Sequence, residues 1–407
     1  MSITIVKAKK FVTVSNLGTI DDGALVIQNG KILDIVPWHE IKLTYKDTTE
    51  ITDYGNLTIS PGLVDCHTHL LEFAPTSLYP VTKETQNLAA KAILLKTLAS
   101  GITALGEQIC GSPMLHSDVN ELKNSIKDFP LDIAFATTSI SIGLDPILHF
   151  TSVTGSLAVE RDVLVQNNII MSIAQHSEFA GENIFINATP ANFTQDLIPN
   201  AGEIIYSQEE LNTIVSIFHS MNRKIGTHVA GEKGIDMALN AGFDVLHHAH
   251  GITNEQIKQA ANQNIKIVAT PLGGTHLLPN TIEEVMKMHD ANITVAISSD
   301  GFLPPHKNTV TFPKIMQGLI GPDSLMAIAN PYLKAMIQNG ISENEALALI
   351  TLNPAKILEK DNRFGSLEIG KDANFLVSEG IPGVEIVDVE KIKAVYFRGE
   401  KMIQRNV

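Results

Sequence analysis

The sequence predicts an α/β fold: a (β/α)8 TIM-type barrel carrying a small β domain built from both chain ends. Three observations predict it. Short apolar runs alternate with amphipathic stretches through the middle of the chain. Both ends read as strands and tight turns. Histidines and an aspartate recur at the C-terminal ends of predicted strands that are distant in sequence, where barrels of this kind carry their chemistry.

The N-terminal part, 1–58, reads as strands at Ile3–Val6, Phe11–Val14, Gly23–Gln28 and Lys31–Val36, with Leu57–Ile59 closing it. The pairs Asp22-Gly23 and Asn29-Gly30 supply the turns, because glycine after Asp or Asn accepts the left-handed backbone that a tight hairpin needs. The middle, 59–359, holds eight strands: Leu63–His67, Ile102–Gly106, Asp132–Thr138, Asn183–Asn187, Lys224–His228, Asp244–His248, Lys266–Ala269 and Thr294–Ser298. Helical periodicity lies between most of them, at Glu84–Ala99, Gln208–Met221, Gly234–Ala241, Thr253–Gln263 and Ile282–His289. Residues 140–182 show no clean period. The C-terminal part, 360–407, returns to a turn and strand at Gly365–Val377 and a hairpin over Lys393–Arg398 and Lys401–Gln404. It joins 1–58 in one composite β domain.

The bulk properties exclude several classes. At 407 residues, with 44% hydrophobic and 18% charged residues, the chain has an ordinary soluble composition and the length for a sizeable core. A net charge of −14, from 30 basic and 44 acidic residues, speaks against nucleic acid or an anionic membrane as partner. The start, M-S-I-T-I-V-K-A-K-K, lacks the apolar run of a secretion signal, and no stretch approaches the ~18 apolar residues of a membrane span. Two cysteines, Cys66 and Cys110, are too few for a disulfide framework. A cytoplasmic protein acting on a small-molecule substrate is expected, with homo-oligomerisation left open.

Residues 61–70, P-G-L-V-D-C-H-T-H-L, carry the strongest signal. Residues two apart share a strand face, so His67 and His69 can reach one metal ion together, while Cys66 turns away as a packing residue. His228 ends the fifth strand in K-I-G-T-H-V-A-G-E. His247, His248 and His250 end the sixth in D-V-L-H-H-A-H-G, and Asp300 ends the eighth in V-A-I-S-S-D-G. A histidine at one strand end is ordinarily a packing residue. Ligand types at four strand ends of one barrel face point instead to a divalent metal, of which zinc suits imidazole and carboxylate donors.

This pattern resembles the amidohydrolase superfamily of metal-dependent hydrolases. The resemblance rests on P-G-L-V-D-C-H-T-H, G-I-T at 101–103, H-V-A-G at 228–231, S-S-D-G at 298–301, T-L-N-P-A-K-I-L at 351–358 and G-S-L-E-I-G-K-D-A-N at 365–374. It covers nearly the whole chain. It implies a (β/α)8 barrel with a β-sandwich formed by both termini, and metal ligands at His67, His69, His228 and Asp300. Residues 206–255 look most like the branch of imidazolonepropionase relatives and metal-dependent dipeptidases. There, A-L-N-A-G at 238–242 selects His248 as the active-site histidine of strand six, with His250 on the same face as the alternative and His247 turned away into packing.

One departure bears on the metal count. Many two-metal members carry a carboxylated lysine on strand four; N-I-F-I-N-A-T-P at 183–190 has none. One metal is therefore expected, unless Glu107 or Glu178 bridges two. In the reaction the resemblance implies, Asp300 moves a proton from water to the leaving nitrogen and His248 polarises the group under attack. Glu232, four residues after His228, is a candidate proton donor. His276, His306 and Lys307 are expected at the pocket mouth, on the loops Pro271–His276 and Phe302–Asn308, with Leu71–Thr82 opposite. The activity expected is hydrolysis of an amide, cyclic amide or amidine C–N bond. A dipeptidase and a catalytically inactive oligomeric scaffold are the alternatives. Of the five arginines, none falls at a predicted strand's C-terminal end to clamp a peptide carboxylate.

Overall fold

The computed structural model describes residues 3–42, 45, 50–72, 83–110, 119–142, 148–155, 157–188, 195–301 and 321–406. Strands from both chain ends form a single eight-stranded sheet. Ile3–Val12, Thr19–Gln28, Lys31–Pro37, Glu50–Asp53 and Thr58–Pro61 come from the N-terminal part; Phe375–Ser378, Ile392–Phe397 and Glu400–Gln404 come from the C-terminal part. The two parts join where Thr58–Pro61 pairs antiparallel with Phe375–Ser378. Ile3–Val12 is one ten-residue strand rather than the two short ones, Ile3–Val6 and Phe11–Val14, expected from the sequence. Lys7 and Lys10 interrupt the apolar pattern without ending the strand, because their amines reach Asp53 and Glu343.

We number the eight parallel strands of the middle β1 (Leu63–Thr68), β2 (Ile102–Ile109), β3 (Asp132–Thr137), β4 (Ile184–Phe185), β5 (Gly226–Ala230), β6 (Val245–His250), β7 (Lys266–Ala269) and β8 (Val295–Ile297). They pair in parallel as β1-β2-β3 and as β4-β5-β6-β7-β8. The aperiodic stretch after β3 contains an antiparallel hairpin, Ser139–Ile142 with Leu148–Thr151, whose first strand runs beside β4. Backbone hydrogen bonds link the two groups: Ser139 N donates to Asn183 O, and Asp300 N donates to His67 O.

The five predicted helices form where expected and for local reasons, and others, such as Asn167–His176 in the aperiodic stretch, were not predicted. Gln208–Ser220 begins at a capping box in which Ser207 and Glu210 satisfy each other's backbone donors. It buries Leu211, Ile214, Val215 and Phe218, spaced as one helical stripe. Asn254–Asn262 and Ile282–Asp290 start at the same device, with Thr253/Gln256 and Thr281/Glu284. Pro61-Gly62 leads directly from the terminal sheet into β1. A Cβ on Gly62 would lie 2.2 Å from Thr103 Oγ1, so only glycine fits there.

Alternate residues of the parallel strands face a common interior. Val64 and Cys66 of β1, Ala104 of β2, Ala134 and Ala136 of β3, Val245 of β6, Val268 of β7 and Ala296 of β8 pack together there, closed from below by Leu358 and Phe364. The opposite faces pack on the helices. The polar cluster described next lies beyond this small-residue layer, at the strands' C-terminal ends. Among the described residues no helix is long and apolar enough to cross a membrane.

Candidate metal centre

The predicted ligands converge. His67 and His69 leave the end of β1, His228 comes from β5, His248 from β6 and Asp300 follows β8; all are buried. Asp300 Oδ1 lies 3.3 Å from His67 Nε2 and 3.4 Å from His69 Nε2. The residue that joins these groups is one the sequence reading passed over, Glu182. Its Oε2 lies 3.2 Å from His67 Nε2 and 3.5 Å from His69 Nε2. Its Oε1 lies 2.6 Å from His228 Nδ1 and 2.7 Å from His248 Nε2. Among the described residues, three sets of donors are close enough to hold a metal ion: His67, His69 and Glu182; Glu182, His228 and His248; and His67, His248 and Asp300.

Glu182 was missed because it does not sit on a regular strand. Residues 179–183 run into the interior: Phe179 and Ala180 pack among the inward side chains of the strands. Gly181 permits the passage, since a Cβ there would lie 2.3 Å from Gln108 Oε1 and 2.4 Å from Ala136 Cβ. Glu182 N then donates to Gln108 Oε1. The only local hint was an acid set in the apolar run A-G-E-N-I-F-I.

Strand β6 departs from the expected register. Val245 faces the interior, so His247, two residues on, faces it too. A bulge follows: Val229 pairs with His248 but Ala230 pairs with His250. His248 and Ala249 take left-handed φ values of 67° and 47°. His247 therefore does not turn away into packing. Its Nδ1 lies 2.9 Å from His67 Nδ1 and its Nε2 lies 3.0 Å from Ala180 O. His250 hydrogen-bonds Thr275 and Thr270 and joins none of the three donor sets.

The other candidates fall elsewhere. Glu107 accepts from the Thr68 hydroxyl and from Leu70 N and Leu71 N, so it clamps the segment around His69 rather than bridging metals. Burial pushes its carboxyl up to about 7 against those hydrogen bonds. Glu178 is exposed and pairs with Lys123; its other oxygen accepts from Phe135 N. Glu232 is exposed at the start of its helix. His276 packs its ring against Gly202. His306 and Lys307, with the loop residues 73–82 and 302–308, lie outside the described residues. Cys66 is buried in the interior layer with its thiol beside Ser298 Oγ, as a packing residue. Arg161 turns to Glu210, Ile205 O and the Tyr206 ring.

The electrostatics suit a cation. Burial pushes the Glu182 carboxyl up, but His67, His228 and His248 outweigh it and hold it well below the usual range. Asp300 is likewise held low against burial by His67, His248 and His69. Burial lowers His67, yet the charges of Glu182 and Asp300 raise it to about 10. Two carboxylates buried at one point thus demand positive charge beside them, which a divalent ion provides by displacing protons. Among the described residues, His67 Nε2, His228 Nε2 and both Asp300 oxygens are buried without a hydrogen-bond partner. Orphaned polar atoms are costly in a folded interior, and ligation satisfies such donors. The residues present therefore fit a metal.

Parallel strands with histidine and carboxylate donors gathered at their C-terminal ends define the class of metal-dependent hydrolases. The sequence profile of the Amidohydrolase family matches residues 58–402, and the chain belongs to that family. It is a metal-dependent hydrolase of carbon–nitrogen bonds. Its relatives include an imidazolonepropionase of Fusobacterium nucleatum, 22% identical over 404 residues, covering 91% of this chain and 88% of the relative. An imidazolonepropionase of Pyrobaculum arsenaticum is 25% identical over 425 residues, covering 98% and 99%. Among solved structures, a molinate hydrolase superposes with a TM-score of 0.74 at 15% identity, covering 98% of this chain and 94% of that one. A prolidase complexed with N-methylphosphonate-L-proline gives 0.70 at 17%, covering 99% and 100%. At these identities the structures speak for the fold alone.

Proposed function

We propose that this chain hydrolyses a C–N bond of a cyclic amide or an amidine-type heterocycle at a two-metal centre bridged by Glu182. Zinc is the metal we assign. The observation that carries the reading is the division of Glu182's oxygens, one toward His67 and His69 and the other toward His228 and His248. Strand four carries no lysine, and Glu182, rather than Glu107 or Glu178, would supply the bridging carboxylate in its place. We further read β1–β8 as a closed (β/α)8 barrel spanning 59–359, with 1–58 and 360–407 as its companion β-sandwich domain, in a protein that works in the cytoplasm.

The site residues divide the work. A divalent ion held by His67, His69, Glu182, His228, His248 and Asp300 would supply Lewis acidity, making hydroxide available near neutral pH and polarising the carbonyl or imine under attack. Asp300, beside His67 and His69, accepts the proton of the attacking water and delivers it to the leaving nitrogen. Thr270 Oγ1, 2.6 Å from His248 Nδ1, orients that ring so that its Nε2 faces Glu182. His248 then serves as a ligand in this two-metal reading, instead of acting on the substrate directly. Gly274 lets the loop after β7 close over the pair: a Cβ there would lie 2.4 Å from both Asp300 Oδ2 and His248 Cε1.

A dipeptidase is the competing reading. It needs a cationic clamp for the substrate carboxylate, and all five arginines have their guanidinium groups engaged elsewhere or lie exposed. The gathered ligands count against an inactive scaffold. Elemental analysis of untagged, never-chelated protein should find about two transition-metal ions per chain, as a centre of this type holds. Glu182→Gln should retain one or none. A single tightly held ion in the wild type, unchanged in Glu182→Gln, overturns the bridge. Metal-replete protein should turn over cyclic amides or aminated heterocycles in a screen that includes dipeptides; turnover of dipeptides alone overturns the substrate class.

A further inference from the structure

Two adjacent histidines of β6 point into the site, which a regular strand forbids. The bulge at His248 and Ala249 makes this arrangement, at the cost of two consecutive left-handed residues that are not glycine. His248 is accounted for by its contact with Glu182. His247 touches neither carboxylate. It is fully buried, and among the described residues its two ring nitrogens meet only Ala180 O and His67 Nδ1.

Those two partners dictate where its proton sits. A carbonyl oxygen only accepts, so His247 Nε2 must carry the hydrogen. A neutral imidazole then has its lone pair on Nδ1. The 2.9 Å contact between the two Nδ1 atoms is a hydrogen bond only if His67 donates. His67 must therefore keep its proton on Nδ1, so that when a metal displaces the other proton it is the lone pair of Nε2, the nitrogen facing Glu182 and Asp300, that becomes free to ligate.

We propose that His247 is a positioning residue: through its Nδ1 it fixes the tautomer and ring orientation of His67, with Ala180 O holding His247 in turn. This rests on the metal-centre reading above. The relay runs from a backbone carbonyl on the irregular segment that also carries Glu182, so one stretch of chain places the bridging carboxylate and orients a ligand on its far side. A period-two strand would put a helix-facing apolar residue at one of these two positions. The bulge supplies both histidines instead.

Two substitutions separate this role from packing. Asparagine places its Oδ1 near the position of Nδ1 and keeps the acceptor for His67. Glutamine places its amide near the position of Nε2 and keeps the donor for Ala180 O while losing the acceptor. The measurement is the apparent affinity of the metal-stripped protein for Zn2+, read by competition with a chromogenic chelator, together with the rate of metal loss to excess chelator. Circular dichroism and thermal unfolding confirm the fold of each variant. His247→Gln should bind the weaker-held ion roughly 10–100-fold less tightly, the usual effect of losing such an outer partner. His247→Asn should stay within a few-fold of wild type. Equal loss in both variants, or wild-type affinity in His247→Gln, overturns the relay while leaving the centre standing. Failure of the wild-type protein to bind Zn2+ overturns the metal centre itself and the relay with it.

Discussion

Asp300 combines two demands in one side chain. Its carboxylate faces the His67 and His69 pair, and its backbone is held at a φ of 53°, a conformation that costs free energy in any residue but glycine. Its amide donates to His67 O, so the strained turn also ties β8 to β1. Among the described residues the oxygens have no hydrogen-bond partner, which suits the ligating and proton-carrying role proposed for this side chain. Asp300→Asn keeps the size and one oxygen but removes the base that the proposed reaction requires. We expect kcat to fall by roughly 10²–10⁴-fold, the usual contribution of general acid–base catalysis, with a smaller change in KM. Steady-state kinetics on whichever substrate the screen identifies, beside metal analysis of the variant, check this. A variant that keeps its metal and loses less than tenfold would remove Asp300 from proton transfer.

Strand β6 shows how one inserted residue builds a site. Up to His247 it obeys the period of two; beyond it, the bulge returns His248 and then His250 to the interior. Ala249 is the extra residue, fully buried with a φ of 47°. A β-branched side chain there would face both the left-handed backbone and a packed core, so Ala249→Val should destabilise the fold by about 2 kcal/mol or more. Ala249→Gly removes the conformational penalty and should be neutral or stabilising, by up to about 1 kcal/mol. Chemical denaturation of the two variants distinguishes these outcomes. Equal stability of Ala249→Val and wild type would show that the bulge adapts freely. The Val variant should also bind metal more weakly, because His248 moves with the strand.

The terminal sheet and the parallel strands are tied by a charged network as well as by the apolar core. Asp372 receives Lys31 at 2.5 Å and Arg363 at 2.8 Å; Arg363 and Arg398 both reach Asp132 at the start of β3. Burial pushes the Asp372 carboxyl up, but Lys31 and Arg363 outweigh it and hold it below its usual value. A depressed carboxylate stabilises the folded state above its unfolded pKa, near 3.9, and that contribution is lost as pH falls through the lower folded value. Asp372→Asn lacks this contribution at every pH. The variant should unfold at a lower temperature than wild type at pH 7, and the two should converge in acid as pH falls through the lowered folded value. Thermal unfolding at several pH values tests it; a constant difference across that range would show that the loss is one of packing rather than of charge. Arg363 and Arg398 are partly exposed, so high salt should narrow the pH 7 difference.

Much of this was legible in the residues before the structure. The eight parallel strands, five of the helices between them and the strand-rich character of both chain ends follow from apolar runs, helical periodicity and Asp-Gly and Asn-Gly turns, all of which act over a few residues. His67, His69, His228 and Asp300 were findable because each lies near the C-terminal end of a short apolar run that reads as a strand. Glu182 and His247 were not. Glu182 enters the site from an irregular segment admitted between β3 and β5 by the missing side chains of Gly181 and Gly226, whose fit is set by partners tens of residues away. His247 needed the register of β6 against β5, and the alternation rule anchored at the wrong histidine sent it outward. A period of two assigns faces only while pairing is uninterrupted. Whether one extra residue is inserted depends on what the displaced side chains gain from groups elsewhere in the chain, here His67, Ala180 O and Glu182, and no local window of sequence contains that balance.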